Sequence, residues 1–139
     1  MADLIAAHGT AIATWPDWWG FKLEAYDGIP DNARLSQAAG VSVVIHSDSA
    51  NTIQRLYTEA AKLVATGMSE SHALETVTLA PAKMLGIESQ VGSIAVGKDA
   101  DLALFSHHPL DVYTRVEATW IDGVRVFDLA QEGAPNGWP

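Results

Sequence analysis

The residues best suited to chemistry lie in one short run, Val41-Ser42-Val43-Val44-Ile45-His46-Ser47-Asp48. It is β-branched and apolar enough for a buried strand, and it ends in a carboxylate. Alternate residues of a strand face opposite sides, which puts Ser42, Val44, His46 and Asp48 on one face and Val41, Val43 and Ile45 on the other. Open α/β sheets and α/β barrels carry catalytic groups at the C-terminal ends of such strands, where an aliphatic face meets helices. Asp48 is therefore the leading functional candidate. It could equally cap the helix that follows, although Ser49 and Asn51 compete for that role, and both readings stay open. His46 shares the face of Asp48 and is either a ligand, a hydrogen-bonding support or a satisfied interior histidine.

A second group is the aromatic segment from Trp15 to Asp27, with Trp18, Trp19, Phe21 and Tyr26. It follows a strand, so it lies on the side where Asp48 would lie and could cover a pocket. Packing into a satellite core is the competing reading. Lys22, Glu24 and Asp27 among the rings are candidates for a salt-bridged lid or for orienting a substrate. Of the other histidines, His8 sits in a last helical turn and is read as structural. His72 falls in a first turn and is read as solvated. His107 and His108 are adjacent, so on a strand they would point apart, a poor metal pair.

Just as informative is what the chain lacks. It has no His-x-His pair, no His-Glu-x-x-His, no Gly-x-Ser-x-Gly elbow and no phosphate-binding glycine loop. A mononuclear hydrolytic zinc site needs about three protein ligands and an open position. This sequence offers Asp48 and, beyond it, only His46. An unaided catalytic site is hard to build from these residues.

The elements that must position them read as an alternation. A helix from Ala2 to His8 ends at Gly9, and a strand from Thr10 to Trp15 is stopped by Pro16. A helix from Asn32 to Ala39 follows Pro30-Asp31, and then comes the Val41 to Asp48 strand. A helix from Thr52 to Thr66 carries the apolar stripe Ile53, Leu56, Tyr57, Ala60, Leu63 and Val64, and Gly67 ends it. Ser69 caps a helix through Leu79, and Pro81 opens a short one ending at Gly86. This order implies parallel strands joined by crossover helices. From Val91 the helical period is lost: Gly92 to Asp99 reads as a turn or short strand, and Ala100 to Ser106 as a strand. Val116 to Ile121 and Val124 to Asp128 flank Asp122-Gly123, a dipeptide suited to a type I′ hairpin turn. Residues after Asp128 read as a loose tail.

Composition sets the outer bounds. The chain has 139 residues, 48% hydrophobic and 18% charged, with a net charge of −9 and no cysteine. The charge repels phosphate backbones and anionic lipid headgroups, so neither nucleic acid nor a membrane surface is an expected partner. Without cysteine there are no disulfides, no thiolate zinc site and no cysteine nucleophile, so any metal is held by His, Asp or Glu. The start, MADLIAAHGT, has no basic n-region, and no stretch approaches the ~18 apolar residues of a membrane span. No targeting or membrane-inserting segment is expected.

Taken together, Ile45-His46-Ser47-Asp48 and the later Ala80-Pro81-Ala82-Lys83-Met84-Leu85-Gly86 resemble the last barrel unit of the amidohydrolase superfamily. The run from Gly92 through Val96-Gly97-Lys98-Asp99-Ala100-Asp101 to Phe105 is similar to the stretch where those enzymes re-enter a small β-sandwich. Trp120-Ile121-Asp122-Gly123-Val124-Arg125-Val126-Phe127 resembles its closing hairpin. With Pro16-Asp17-Trp18-Trp19-Gly20-Phe21-Lys22, the likeness points to the imidazolonepropionase-like branch and covers roughly residues 1 to 128.

The resemblance implies an α/β fold. A (β/α)₈ barrel needs about 250 residues, so it also implies only the last two β/α units, over 1–90, followed by part of the sandwich over 91–128 and a tail over 129–139. It implies hydrolysis of amide, cyclic amide or acylamino C–N bonds of a small-molecule substrate by metal-activated water, with a divalent metal, zinc first. Asp48 would contact the metal and serve as general base and then acid. His46, Trp18, Trp19, Lys22 and Glu24 are the expected supporting or substrate-binding residues. The chain alone is expected to be inactive and to self-associate or to need a complementary N-terminal chain. A non-catalytic assembly module is the alternative.

Overall fold

Two parallel strands and the helix that returns the chain between them hold the candidate residues. The computed structural model describes residues 1–18, 20 and 22–132. Strand β1 (Ile12–Thr14) pairs in parallel with β2 (Val43–Ile45), with Ile12 opposite Val43 and Thr14 opposite Ile45. A parallel pair requires a crossover, and helix α2 (Asn32–Ala38) supplies it. Ahead of β1, α1 (Ala2–His8) ends at Gly9, whose φ of 69° is the left-handed stop expected of a C-terminal glycine.

Both strands are shorter than the sequence pattern suggests. Pro16 ends β1, and β2 extends only as far as it has a partner. The Ser42 carbonyl accepts from the Ile12 N–H at 2.9 Å and the His46 N–H donates to the Thr14 carbonyl at 3.2 Å. Strand alternation turns the Ile45 N–H to the other edge, where it donates to the Thr76 carbonyl at 3.1 Å. Beyond His46 the chain leaves the ladder, and the assignment of Asp48 to a strand face is thereby corrected.

The main core gathers on β2. Val43 and Ile45 pack with Ala33 of α2, with Leu63 of α3 (Leu56–Ala65), and with Met68 and Ala73, the last on α4 (Glu70–Glu75). Ile45 and Leu63 are the largest fully buried side chains, each contributing about 1.5–3 kcal/mol of burial. The helix expected from Thr52 begins as a 3₁₀ turn over Ile53–Arg55 before α3. Ser69 caps α4 as expected, its Oγ accepting from the His72 N–H at 3.3 Å. That helix stops at Glu75 instead of reaching Leu79. The Thr76 hydroxyl donates to the Ala73 carbonyl at 2.6 Å and the Thr78 hydroxyl to the Leu74 carbonyl at 2.8 Å, local bonds that compete with the ladder. Helix α5 (Leu79–Leu85) then carries Pro81 in its first turn and ends at Gly86, φ 71°.

A second, antiparallel sheet has the order β3 (Leu102–Phe105), β4 (Val116–Ile121), β5 (Val124–Asp128). Asp122 and Gly123 both have positive φ, 50° and 74°, as a type I′ turn requires. The Gly92 to Asp99 segment is a turn with no strand. Lys98 holds it, its Nζ donating to the carbonyls of Glu88 and Val91 and to Ser93 Oγ. Tyr57 of α3 meets Phe105 of β3 edge-on at 5.1 Å, joining the sheet to the helices. The expected tail begins instead with a helical turn, α6 (Leu129–Glu132). Among the described residues no helix is long and apolar enough to cross a membrane.

Candidate functional site

Asp48 sits on a tight turn after β2, in the left-handed region at φ 53°, with its side chain exposed. The turn is satisfied by its neighbours. Ser47, 3% exposed, donates its hydroxyl to the Ser49 carbonyl at 3.3 Å and accepts from the Ser49 N–H at 3.4 Å. Ser49 Oγ in turn accepts from the Thr52 N–H at 3.3 Å, so the turn leading into the helix is closed by Ser49 and not by Asp48. Among the described residues the Asp48 carboxylate has no hydrogen-bond or ion-pair partner. It is left available for chemistry.

His46, half-buried, packs its ring against Trp15 at a centroid distance of 4.6 Å. Trp15 in turn stacks on Trp18, with ring centroids 5.9 Å apart and ring planes 2° from parallel. Lys22 Nζ stands 5.8 Å from the Trp15 ring centre and 3.1 Å from Glu24 Oε1. A backbone hydrogen bond, reinforced by Lys22, holds the Glu24 carboxyl below its usual pKa. Both members of that pair are largely exposed, so it orients side chains more than it stabilises the fold.

Two clefts adjoin along the Trp15–His46 contact. One, of about 240 Å³, is lined by Thr14, Trp15, Asp17, Trp18, Lys22 and Glu24 among others. The second, of about 460 Å³, runs from Ile45 through His46, Ser47 and Asp48 to Leu56. The structure thus brings Trp18, Lys22 and Glu24 together in the first cleft and His46 and Asp48 in the second, with the Trp15–His46 ring contact as the link between them. Trp19 lies outside the described residues. Asp27 is exposed and takes no part in the Lys22–Glu24 pair.

Sequence reasoning did not single out Ser47, the Glu59–Lys62 pair or the contact of Lys62 with Asp17. Ser47 looked like one more strand residue, and nothing local marks it as the hydroxyl that shapes the Asp48 turn. Glu59 and Lys62 have helical spacing, a legible pair, and Lys62 Nζ lies 2.8 Å from Glu59 Oε1. The third contact, Lys62 Nζ to Asp17 Oδ2 at 2.9 Å, joins distant segments and has no sequence signature.

The chain is 35% identical over 119 residues to amidohydrolase tasK of Hapsidospora irregularis, covering 85% of this chain and 12% of that protein. It is 44% identical over 71 residues to N-acetylglucosamine-6-phosphate deacetylase of Mus musculus, 51% of this chain and 16% of the deacetylase. A crystal structure of an amidohydrolase from Thermotoga maritima MSB8 superimposes with a TM-score of 0.84 at 33% identity, covering 91% of this chain and 34% of that one. The likeness implies a TIM-barrel-like fold, and the chain itself is α/β with two small sheets. The chain spans well under half the length of each of these proteins. The amidohydrolase family model itself matches residues 25–126, from the end of the aromatic segment through the closing hairpin, and this chain belongs to that family.

Proposed function

We propose that the chain is the C-terminal portion of a metal-dependent amidohydrolase acting on C–N bonds. Residues 1–90 would be barrel units seven and eight, 91–128 part of the trailing β-sandwich and 129–139 a terminal segment. The observation that carries this reading is the exposed Asp48 carboxylate, set on a left-handed turn that its serine neighbours satisfy. There a carboxylate oxygen can take a proton from the attacking water and return it to the leaving nitrogen. Trp18, Lys22 and Glu24 line the cleft that would receive the rest of the substrate. The deacetylase likeness favours acylamino compounds as substrates.

Members of the amidohydrolase family generally bind a divalent metal, and zinc is the ion we favour. Among the described residues no three His, Asp or Glu side chains stand together as ligands. A zinc ion that activates water needs about three. These residues therefore do not fit the metal by themselves: Asp48 is one ligand, and the His46 ring is engaged with Trp15. On this reading the chain alone is inactive, and turnover would draw on further barrel strands, from a longer form of the protein, a complementary chain or an assembly of copies.

The test is metal content per chain by elemental mass spectrometry. Wild type and Asp48→Ala are measured alone and co-expressed with the preceding barrel strands of the Thermotoga maritima amidohydrolase. The expected result is little metal in either chain alone, with stoichiometric metal and amide hydrolysis in the complemented wild type only. Complemented Asp48→Ala that retains full hydrolysis would overturn the assignment. The exposed Leu104, Val124 and Val126 of the second sheet favour a second reading, a non-catalytic assembly module. It predicts indifference to Asp48→Ala in every assay.

A further inference from the structure

We propose that Lys62 is a positioning residue for the aromatic cleft. By bridging the buried Glu59 carboxylate to Asp17, it fixes the Trp15–Trp18 stack against His46. That the cleft receives substrate rests on the reading above; the clamp itself stands on geometry alone.

Glu59 is 3% exposed, and a carboxylate taken out of water needs a compensating cation and hydrogen bonds. Lys62 supplies both, with Nζ 2.8 Å from Oε1 and 3.0 Å from Oε2. That pairing lies within one helical turn and would be complete without any contact elsewhere. The ammonium nevertheless makes a third contact, 2.9 Å to Asp17 Oδ2, which uses its full set of three donors. Asp17 follows buried Pro16 and precedes Trp18, so a bond there fixes the short segment that carries both stacked indoles. Burial alone would lower the Lys62 pKa, but Glu59 and Asp17 outweigh it and the net shift is upward. The cation is thus held charged between its two carboxylates. Asp17 and Trp18 both line the cleft of about 240 Å³, and a cleft wall on a loop keeps its shape only where such supports fix it.

Near-UV circular dichroism of the full chain tests the clamp, with Trp18→Phe marking the part of the spectrum that arises from the stack. Lys62→Met and Asp17→Asn should each lose that part while the far-UV spectrum is kept. Lys62→Arg should retain it, and the double variant should lose no more than either single one. A merely structural ion pair would lower the melting temperature and leave the signal of the folded chain unchanged. A Trp18-dependent signal that survives in folded Lys62→Met, or in Asp17→Asn, overturns the proposal, as does its absence from the wild type. Lys62→Met leaves Glu59 buried without a counter-charge. If it does not fold, Asp17→Asn decides the matter, because Asp17 is 42% exposed and its loss leaves Glu59 paired. The readout needs neither metal nor turnover, so it can fail while the hydrolase reading stands, and the reverse.

Discussion

Asp48 occupies a backbone conformation that costs an L-residue about 1–2 kcal/mol, less for aspartate and asparagine where the side chain bonds locally. Here the side chain makes no such bond, and Ser47 and Ser49 do the local work. On the proposed reading, the residue type at this position answers to chemistry and not to the turn. On that account Asp48→Gly should hold or raise stability in urea unfolding, and Asp48→Val should lower it by about 1–2 kcal/mol. Equal losses in the two variants would mean that the carboxylate supports the turn after all. Asp48 was legible as a candidate from a β-branched run ending in a carboxylate. Its pose was not, because period-two alternation holds only while a strand has a partner, and β2 ends at Ile45. Trp15 was visible as an aromatic, but its role as the contact between two clefts depends on strand register.

Among the elements, the stops were easiest to read. Gly9 and Gly86 end their helices and Asp122-Gly123 makes its hairpin, since each depends on local backbone freedom alone. Strand lengths and α6 were not legible, because the first depends on a distant partner and the second is a single four-residue turn, too short to show a period, whose cap, Asp128 Oδ1 accepting from the Ala130 N–H at 3.0 Å, reads in sequence as a strand end. Gly92 shows how far packing decides an element: at φ 85°, a Cβ there would stand 2.6 Å from Ala82 Cβ on α5. Gly92→Ala should cost about 2–4 kcal/mol in chemical unfolding, from backbone strain and overpacking together. Gly97→Ala, with φ 91° and open space around the added carbon, should cost about 1 kcal/mol.

The raised pKa of Lys62 adds a dependence on pH. A cation whose folded pKa exceeds its unfolded value contributes fully below the unfolded value, here 10.5, and loses that contribution as pH rises through the folded one. The gap in unfolding midpoint between wild type and Lys62→Met should accordingly narrow above pH 10.5. A gap that stays constant through that range would show that the apolar stem, not the charge, is what matters.

At the scale of the molecule, a net charge of −9 is set against many exposed apolar side chains, among them Leu23, Ile94, Val96, Val112 and Tyr113. Apolar exposure favours association and like charge opposes it, and salt screens only the second. Sedimentation velocity should show a mass that grows with protein concentration and grows further as salt is raised. A monomer under all conditions would remove self-association from the proposal. Low charged fraction pointed to this from composition, while which faces are left uncovered required the sheet order.

The bond from the Ile45 N–H to the Thr76 carbonyl bears on rate more than on affinity. Any strand arriving at that edge of β2 finds the site occupied by the turn between α4 and α5. It must exchange one hydrogen bond for another of similar worth, so the equilibrium shifts little while the barrier rises. Joining should therefore proceed on the time scale of local opening of that turn, far slower than diffusional encounter, and separation should be slow for the same reason.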